Sequence, residues 1–349
     1  METLEIIMGT LVRALFAGSL DIIGDVHGEI DALLSLLQRL GYDEDGGHPE
    51  NRRLVFVGDL VDRGPDSLAV VSVVQRLIER ERAQCVLGNH ELNLLLGSRK
   101  PDNVWFFHHS LPPSDPAFTR PQTWIDERER KAMLDFFAGL PLALERSDLR
   151  VVHACWSDSA IGSLRGEKDA VAWHEAHRER IDAEVRRRGL SPAVAKLVHQ
   201  NENPVKQLTS GPEAKTDRPF VSMGKLRHER RVAWWREYSG PLCVFGHYWR
   251  ILLPHEVDGD LLFASDRSPA FEISYADEAA CIDFSVGKRY LERSAPGFAG
   301  AFRTRLAALR LPERTWIFDT ETDDVEVRDY PQSPPSPLYS GERGFSDRF

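Results

Sequence analysis

Five apolar runs, spread from Ile22 to His247, each end in side chains able to hold a cation. Ile22-Ile23-Gly24 leads into Asp25-Val26-His27, and Val55-Phe56-Val57-Gly58 leads into Asp59. Val86-Leu87-Gly88 leads into Asn89-His90-Glu91, Val151-Val152 into His153, and Cys243-Val244-Phe245-Gly246 into His247. In an open α/β sheet the loops beyond the carboxyl ends of the strands gather at one edge and form the ligand crevice. A chain with this pattern can bring remote polar side chains together by folding its strands side by side. Glycines 24, 58, 88 and 246, just before four of the five groups, make room for tight turns and close backbone approach.

The intervening segments supply the helices such a sheet needs. Leu20 to Ile23 reads as a strand, and Ile30 to Leu40 has helical apolar spacing. Leu54 to Val57 is a second strand, Ser67 to Arg82 a second helix, and Gln84 to Leu87 a third strand. This alternation predicts βαβ units. Further on, Trp124 to Ala138 and Glu167 to Arg188 read as helices, with strands at Leu149 to His153, Pro241 to Phe245 and Ala280 to Phe284. Gln200 to Met223, rich in Asn, Pro, Gly and Ser, reads as a long loop. No internal repeat is visible.

Asp, His and Asn without Cys form an oxygen and nitrogen donor set that suits Mn, Fe or Zn ions better than Cu(I) or an iron–sulfur cluster. Six donors are too many for one tetrahedral ion with an open position. They suit two ions sharing a bridging carboxylate, the arrangement used for in-line displacement at phosphorus, with metals about 3.5–4 Å apart.

Composition narrows the setting. With 44 Lys and Arg against 54 Asp and Glu the formal charge is −10, and 42% of the 349 residues are hydrophobic. These values fit a globular chain and exclude collagen, disorder and a membrane span. The acidic balance argues against nucleic acid or a membrane as the main partner. Cys85, Cys155, Cys243 and Cys281 form no CxxC pair and lie in or beside apolar runs, as reduced, buried thiols do in a cytoplasmic protein. Ile6 to Phe16 is fairly apolar, but Glu2 and Glu5 stand where a signal peptide is basic, so it reads as a lead-in to the first strand.

Gly24-Asp25-Val26-His27-Gly28, Gly58-Asp59-Leu60-Val61-Asp62-Arg63-Gly64 and Gly88-Asn89-His90-Glu91 resemble, in order and spacing, the three signature motifs of the calcineurin-like metallophosphoesterases. The likeness is nearest to the PPP-type phosphoprotein phosphatases and the related symmetrical diadenosine tetraphosphatases. The contexts His153-Ala154-Cys155-Trp156 and Gly246-His247-Tyr248-Trp249 resemble a bacterial branch. The resemblance implies a four-layer α/β sandwich, two mixed β-sheets face to face and flanked by helices. It would form one domain over residues 1–329, with insertions near 100–140 and 160–235, and a proline-containing tail over 330–349 would be poorly ordered.

By the same resemblance, Asp25 and His27 would bind one metal, Asp59 would bridge, and Asn89, His153 and His247 would bind the second. His90 would be the general acid, oriented by Asp62, and Arg63 would grip the substrate phosphate. The implied cofactor is a pair of divalent ions, Mn²⁺ first, with Fe or Zn also suited. The implied reaction is phosphoester hydrolysis by direct attack of a metal-bridging hydroxide. The substrate would be a phosphoprotein, or alternatively a dinucleoside polyphosphate such as Ap4A. A third reading, of a different class, is a silent phosphate- or protein-binding scaffold.

Other features stay open at this level. Trp156, Tyr248 and Trp249 read as packing around the site or as a wall that stacks an aromatic ring. Cys155 reads as a buried thiol. Lys206, Lys225, Arg227, Arg230 and Arg231 read either as a solvated helix face or as a rim attracting phosphate. His108, His109, His174, His177, His199, His228 and His255 show no motif.

Overall fold

The computed structural model describes residues 9–110, 122–222, 225–250 and 278–321. The tail from residue 330 and His255 lie outside them. In chain order the elements are β1 (Val12–Ala14), β2 (Leu20–Ile23), α1 (Ile30–Leu40), β3 (Arg53–Phe56), α2 (Ser67–Glu79), β4 (Ala83–Cys85) and α3 (Asn89–Leu95). There follow α4 (Val104–Phe107), α5 (Glu127–Ala138), β5 (Ala143–Glu145), β6 (Leu149–Val152), α6 (Asp158–Leu164), α7 (Ala170–Arg188), α8 (Pro192–Glu202) and α9 (Pro204–Ser210). The chain continues through β7 (Glu213–Ser222), β8 (Lys225–Arg231), β9 (Leu242–Phe245), β10 (Ala279–Cys281), α10 (Arg289–Ser294), β11 (Ala307–Leu311) and β12 (Thr315–Phe318).

Two five-stranded mixed sheets result, with orders β1-β5-β6-β9-β10 and β12-β11-β2-β3-β4. In the first, β6, β9 and β10 run parallel, and β5 is antiparallel to β6. In the second, β2, β3 and β4 run parallel, and β11 returns antiparallel beside β2. Strand side chains alternate between faces, and that alternation sorts the core. Ile22, Val55, Val151 and Val244 join one buried cluster fed by both sheets, so the sheets pack face to face. Ile23, Leu54, Phe56, Val152 and Phe245 point the other way and meet Leu33 and Leu36 of α1, Val70 and Val74 of α2 and Leu208 of α9. Helix, sheet, sheet and helix make the expected four-layer sandwich.

Local signals set the helix ends. Asp66 caps α2 by accepting from Ala69 N, and Asp126 with Glu129 forms a capping box at α5. The stretch expected to be a loop from Gln200 to Met223 instead holds the end of α8, all of α9 and β7. Its Asn and Pro are helix-start signals: Asn203 Oδ1 accepts from Val205 N and Lys206 N, and Pro204 occupies the first turn. Most of the basic stretch is likewise no helix face. Lys225, Arg227, Arg230 and Arg231 belong to β8 of a β7–β8 hairpin, and Lys206 belongs to α9. The N-terminal lead-in carries a strand of its own, β1, paired parallel with β5. Among the described residues no helix is long and apolar enough to cross a membrane.

Candidate metal centre

The loops beyond β2, β3, β4, β6 and β9 meet at one edge of the sandwich, and backbone contacts lock them together. Val26 N and His27 N both donate to Asp59 O, at 3.0 and 2.9 Å, and Gly28 N donates to Leu60 O at 2.8 Å. Gly246 N reaches His153 O at 2.8 Å across the other sheet. Such turns bend sharply. His27, Asp59, Asp62, Arg63 and His247 have φ of 50°, 49°, 71°, 70° and 66°. That left-handed region is sparsely used by residues other than glycine and tends to be held at functional sites. The buried Glu91 carboxylate steadies the turn by accepting from the N–H groups of Asp59, Leu60, Val61 and Gly88 at 3.0, 2.8, 3.2 and 3.0 Å. At Gly246 a Cβ would collide with Asp25 Oδ1, so this close approach requires glycine.

All nine side chains singled out in the sequence converge here. Asp59 Oδ2 lies at the middle, 3.4 Å from His153 Nε2, 3.8 Å from His27 Nε2 and 3.9 Å from His90 Nε2. Two donor trios share it: His27, Asp59 and His90, and Asp59, His153 and His247. No other group among the described residues has such spacing. Asn89 Oδ1 joins the second trio, 3.2 Å from His153 Nε2 and 2.7 Å from His247 Nδ1. Asp25 stands beside the first trio, 3.9 Å from His27 Nε2, while its carboxylate accepts from His247 N at 3.1 Å. The Arg63 guanidinium lies between two rings, 2.8 Å from His27 Nε2 and 3.1 Å from His90 Nε2. On its far side, His90 Nδ1 is 2.6 Å from Asp62 Oδ2.

The protonation pattern fits a pair of cations. His27 Nδ1 is 3.0 Å from Val61 O, and His153 Nδ1 is 2.7 Å from Val57 O. A carbonyl can only accept, so each Nδ1 carries the hydrogen and each Nε2 turns a lone pair inward when the ring is neutral. Burial and Arg63 hold His27 well below the ordinary imidazole range, and burial and Arg231 do the same for His247. Although burial opposes it, His153 and His90 together hold Asp59 well below the ordinary carboxylate range. Burial, Asp283 and Asp59 push Asp25 well above that range. Burial opposes a charge on His153, but Asp59 raises its pKa, so nitrogen and oxygen donors that share protons crowd one buried spot, and divalent cations would take the place of those protons.

Four further residues belong to the constellation. Asp283, just beyond β10, is buried; Oδ1 accepts from Ser285 N at 2.8 Å, and Oδ2 has no hydrogen-bond partner. The signal for it was present, because Ala280-Cys281-Ile282 is one more apolar run ending in a donor. Glu91 was visible only as part of its motif. Trp105 of α4, within the segment near residue 100, donates from Nε1 to Asp62 Oδ1 at 2.8 Å. From the same segment, Asp102 lies 3.6 Å from Arg63. Trp156 and Tyr248 are core residues, whereas Trp249 is half-buried beside the site. All four cysteines are free and buried, and burial pushes the Cys155 thiol up.

The family described as calcineurin-like phosphoesterase matches residues 19–249. A protein of Geobacillus sp. (strain WCH70) named bis(5'-nucleosyl)-tetraphosphatase PrpE [asymmetrical] is 39% identical over 149 residues, covering 39% of this chain and 56% of that protein. The protein of the same name from Halalkalibacterium halodurans is 51% identical over 73 residues, covering 20% of this chain and 30% of its own length. The chain therefore matches 56% of the length of the first of these relatives and 30% of the second. Among solved structures, a cold-active protein-tyrosine phosphatase of a psychrophilic Shewanella sp. superposes with a TM-score of 0.47 at 15% identity, covering 88% of this chain and 82% of that one.

Proposed function

The chain belongs to the calcineurin-like phosphoesterases, and on that footing we propose that it hydrolyses dinucleoside polyphosphates at a dinuclear metal centre. The reaction class rests on one observation: a single carboxylate oxygen, Asp59 Oδ2, lies 3.8 Å from His27 Nε2 on one side and 3.4 Å from His153 Nε2 on the other. The substrate class rests on the likeness to proteins named bis(5'-nucleosyl)-tetraphosphatase, which favours this reading over the protein-phosphatase reading drawn from the motifs.

In this reading Asp25, His27 and Asp59 would hold one cation, and Asp59, Asn89, His153 and His247 would hold the other. When bound, the two cations supply Lewis acidity and bring the pKa of water toward neutrality. The protein residues do the rest. Arg63 turns from the two imidazoles to fork the oxygens of the attacked phosphate. His90 Nε2–H delivers a proton to the leaving oxygen, and Asp62 keeps that ring in the required tautomer and orientation. The strained loops hold these groups in place before substrate arrives.

The test is an assay of the Mn²⁺-loaded protein on Ap4A and on phosphoserine and phosphotyrosine peptides. Cleavage of Ap4A supports the reading, and its products assign the bond. Two ADP mean symmetrical cleavage, the outcome implied by the sequence motifs. ATP plus AMP mean the asymmetrical cleavage in the relatives' name. Phosphopeptide turnover without Ap4A cleavage would restore the protein-phosphatase reading.

A further inference from the structure

Asp283 is 1% exposed, and its Oδ2 has no hydrogen-bond partner. A buried acceptor left bare is costly, which points to a further donor at that oxygen. The side chain is not free to turn toward one. Oδ1 accepts from Ser285 N at 2.8 Å, and Ser285 Oγ donates to Arg250 O at 2.7 Å. Arg250 N donates back to Asp283 O, and Ile282 N to Phe245 O, each at 2.8 Å. Packing places this carboxylate at the Asp25–His27 end of the centre. A Cβ at Gly24 would collide with Ile282 O, so the chain entering Asp25 touches the chain entering Asp283. A Cβ at Gly287 would collide with the His27 ring and crowd Arg63, so the turn after Asp283 rests on the neighbouring donor. After burial, Asp283 is the foremost charge acting on Asp25. Like charges close together in a buried spot repel, and a cation beside them would relieve both. Asp283 belongs to neither donor trio, so it stands one step behind the ligands.

We propose that Asp283 is a positioning residue for the cation of Asp25 and His27: its Oδ2 accepts from a water molecule that this cation carries, and its charge strengthens the hold on the cation. The inference deepens the proposed function and rests on its dinuclear centre. Groups one step removed from a metal orient its ligands and commonly contribute about 10–100-fold to affinity.

The test is Mn²⁺ titration of the full chain by isothermal calorimetry, after EDTA treatment and removal of the chelator, with the melting midpoint in EDTA measured alongside. Asp283→Asn keeps the acceptor for Ser285 N and removes the charge, whereas Asp283→Ala removes both. In both variants the dissociation constant of one ion is expected to rise about tenfold or more, while that of the other stays within about threefold. In EDTA, Asp283→Asn is expected to melt no lower than wild type, since it loses a repelling charge, and Asp283→Ala to melt lower. Three results would overturn the inference: both ions weakened by one common factor, a loss of affinity confined to Asp283→Ala, or a chelated Asp283→Asn that melts as low as Asp283→Ala, which would make the role structural. The readout does not depend on turnover. Wild type that takes up no Mn²⁺ would sink the dinuclear centre of the proposed function and the inference with it. Wild type that takes up two ions, with Asp283→Asn indistinguishable from it, would sink the inference alone.

Discussion

His90 Nδ1 lies 2.6 Å from Asp62 Oδ2, and both side chains are buried. The contact fixes which ring nitrogen faces the metal centre. It also sets the charge of the ring: burial opposes protonation, but Asp59 and Asp62 outweigh it and raise the His90 pKa.

A general acid must be protonated to act, so a raised pKa extends activity to higher pH. Asp62→Asn removes one of the raising charges. Its kcat is expected to fall about 10²-fold, with the alkaline limb of the pH–rate profile moving to lower pH. A pH–kcat series on the Mn²⁺-loaded enzyme checks both. A limb that stayed in place would mean that Asp62 does not tune His90.

Glu91 offers a separate prediction about stability. Its carboxylate accepts four backbone N–H groups in the turn beyond β3 and at the start of α3. In Glu91→Gln one oxygen becomes an NH₂ that faces donors, leaving Asp59 N and Gly88 N, or Leu60 N and Val61 N, without an acceptor. Each buried orphan costs about 1–3 kcal/mol, so urea unfolding is expected to show a loss of about 2–6 kcal/mol. A loss below about 1 kcal/mol would mean that the turn holds without the carboxylate.

The parallel strands and their ligand loops were legible because burial on both faces leaves continuous apolar runs, and the metal chemistry stands directly at their ends. Ile22, Val55 and Val151 announced strands before any pairing was known. What was not legible depended on partners remote in sequence. The short strands β5, β11 and β12 carry little signal of their own; β11 runs as a strand because it pairs with β2. Asn203-Pro204 reads as a turn or as a helix start equally well until α9 packs Leu208 into the core. Trp105 could not be tied to Asp62, since nothing in the spacing of the two residues joins α4 to the loop beyond β3.

Metal loading should invert the response of stability to pH. In the chelated protein, burial, with Asp59 adding to it, pushes Glu91 up to about 7, and burial foremost raises Asp25 and Asp283. A carboxyl whose folded pKa lies above its unfolded value binds protons more tightly when folded, so its stabilisation is lost as pH rises from the unfolded to the folded value. His27 and His247, held below the imidazole range, gain stability as pH rises toward about 6.5 and offset the carboxyls there, so the melting midpoint of the chelated protein is expected to fall above about pH 6.5, where Glu91, His90 and His153 shed their protons. With Mn²⁺ present it should rise over the same window, because deprotonated donors bind the cation and bound cation stabilises the fold. Parallel curves with and without EDTA would refute a metal site at the Asp59 cluster.

Trp105→Phe separates orientation from charge at the same acid. The indole is buried and donates to Asp62 Oδ1, while the other oxygen of that carboxylate holds His90. Phenylalanine keeps most of the packing but removes the donor, so Asp62 retains its charge and loses a fixed direction. Partners one step removed from a reacting group commonly cost 10–100-fold when lost, and kcat is expected to fall by about tenfold. The alkaline limb should not move down as it does in Asp62→Asn. An anion stripped of one N–H donor is, if anything, a stronger partner for a protonated imidazole. Equal downward shifts in the two variants would show that Trp105 acts on the charge of the pair and not on its geometry.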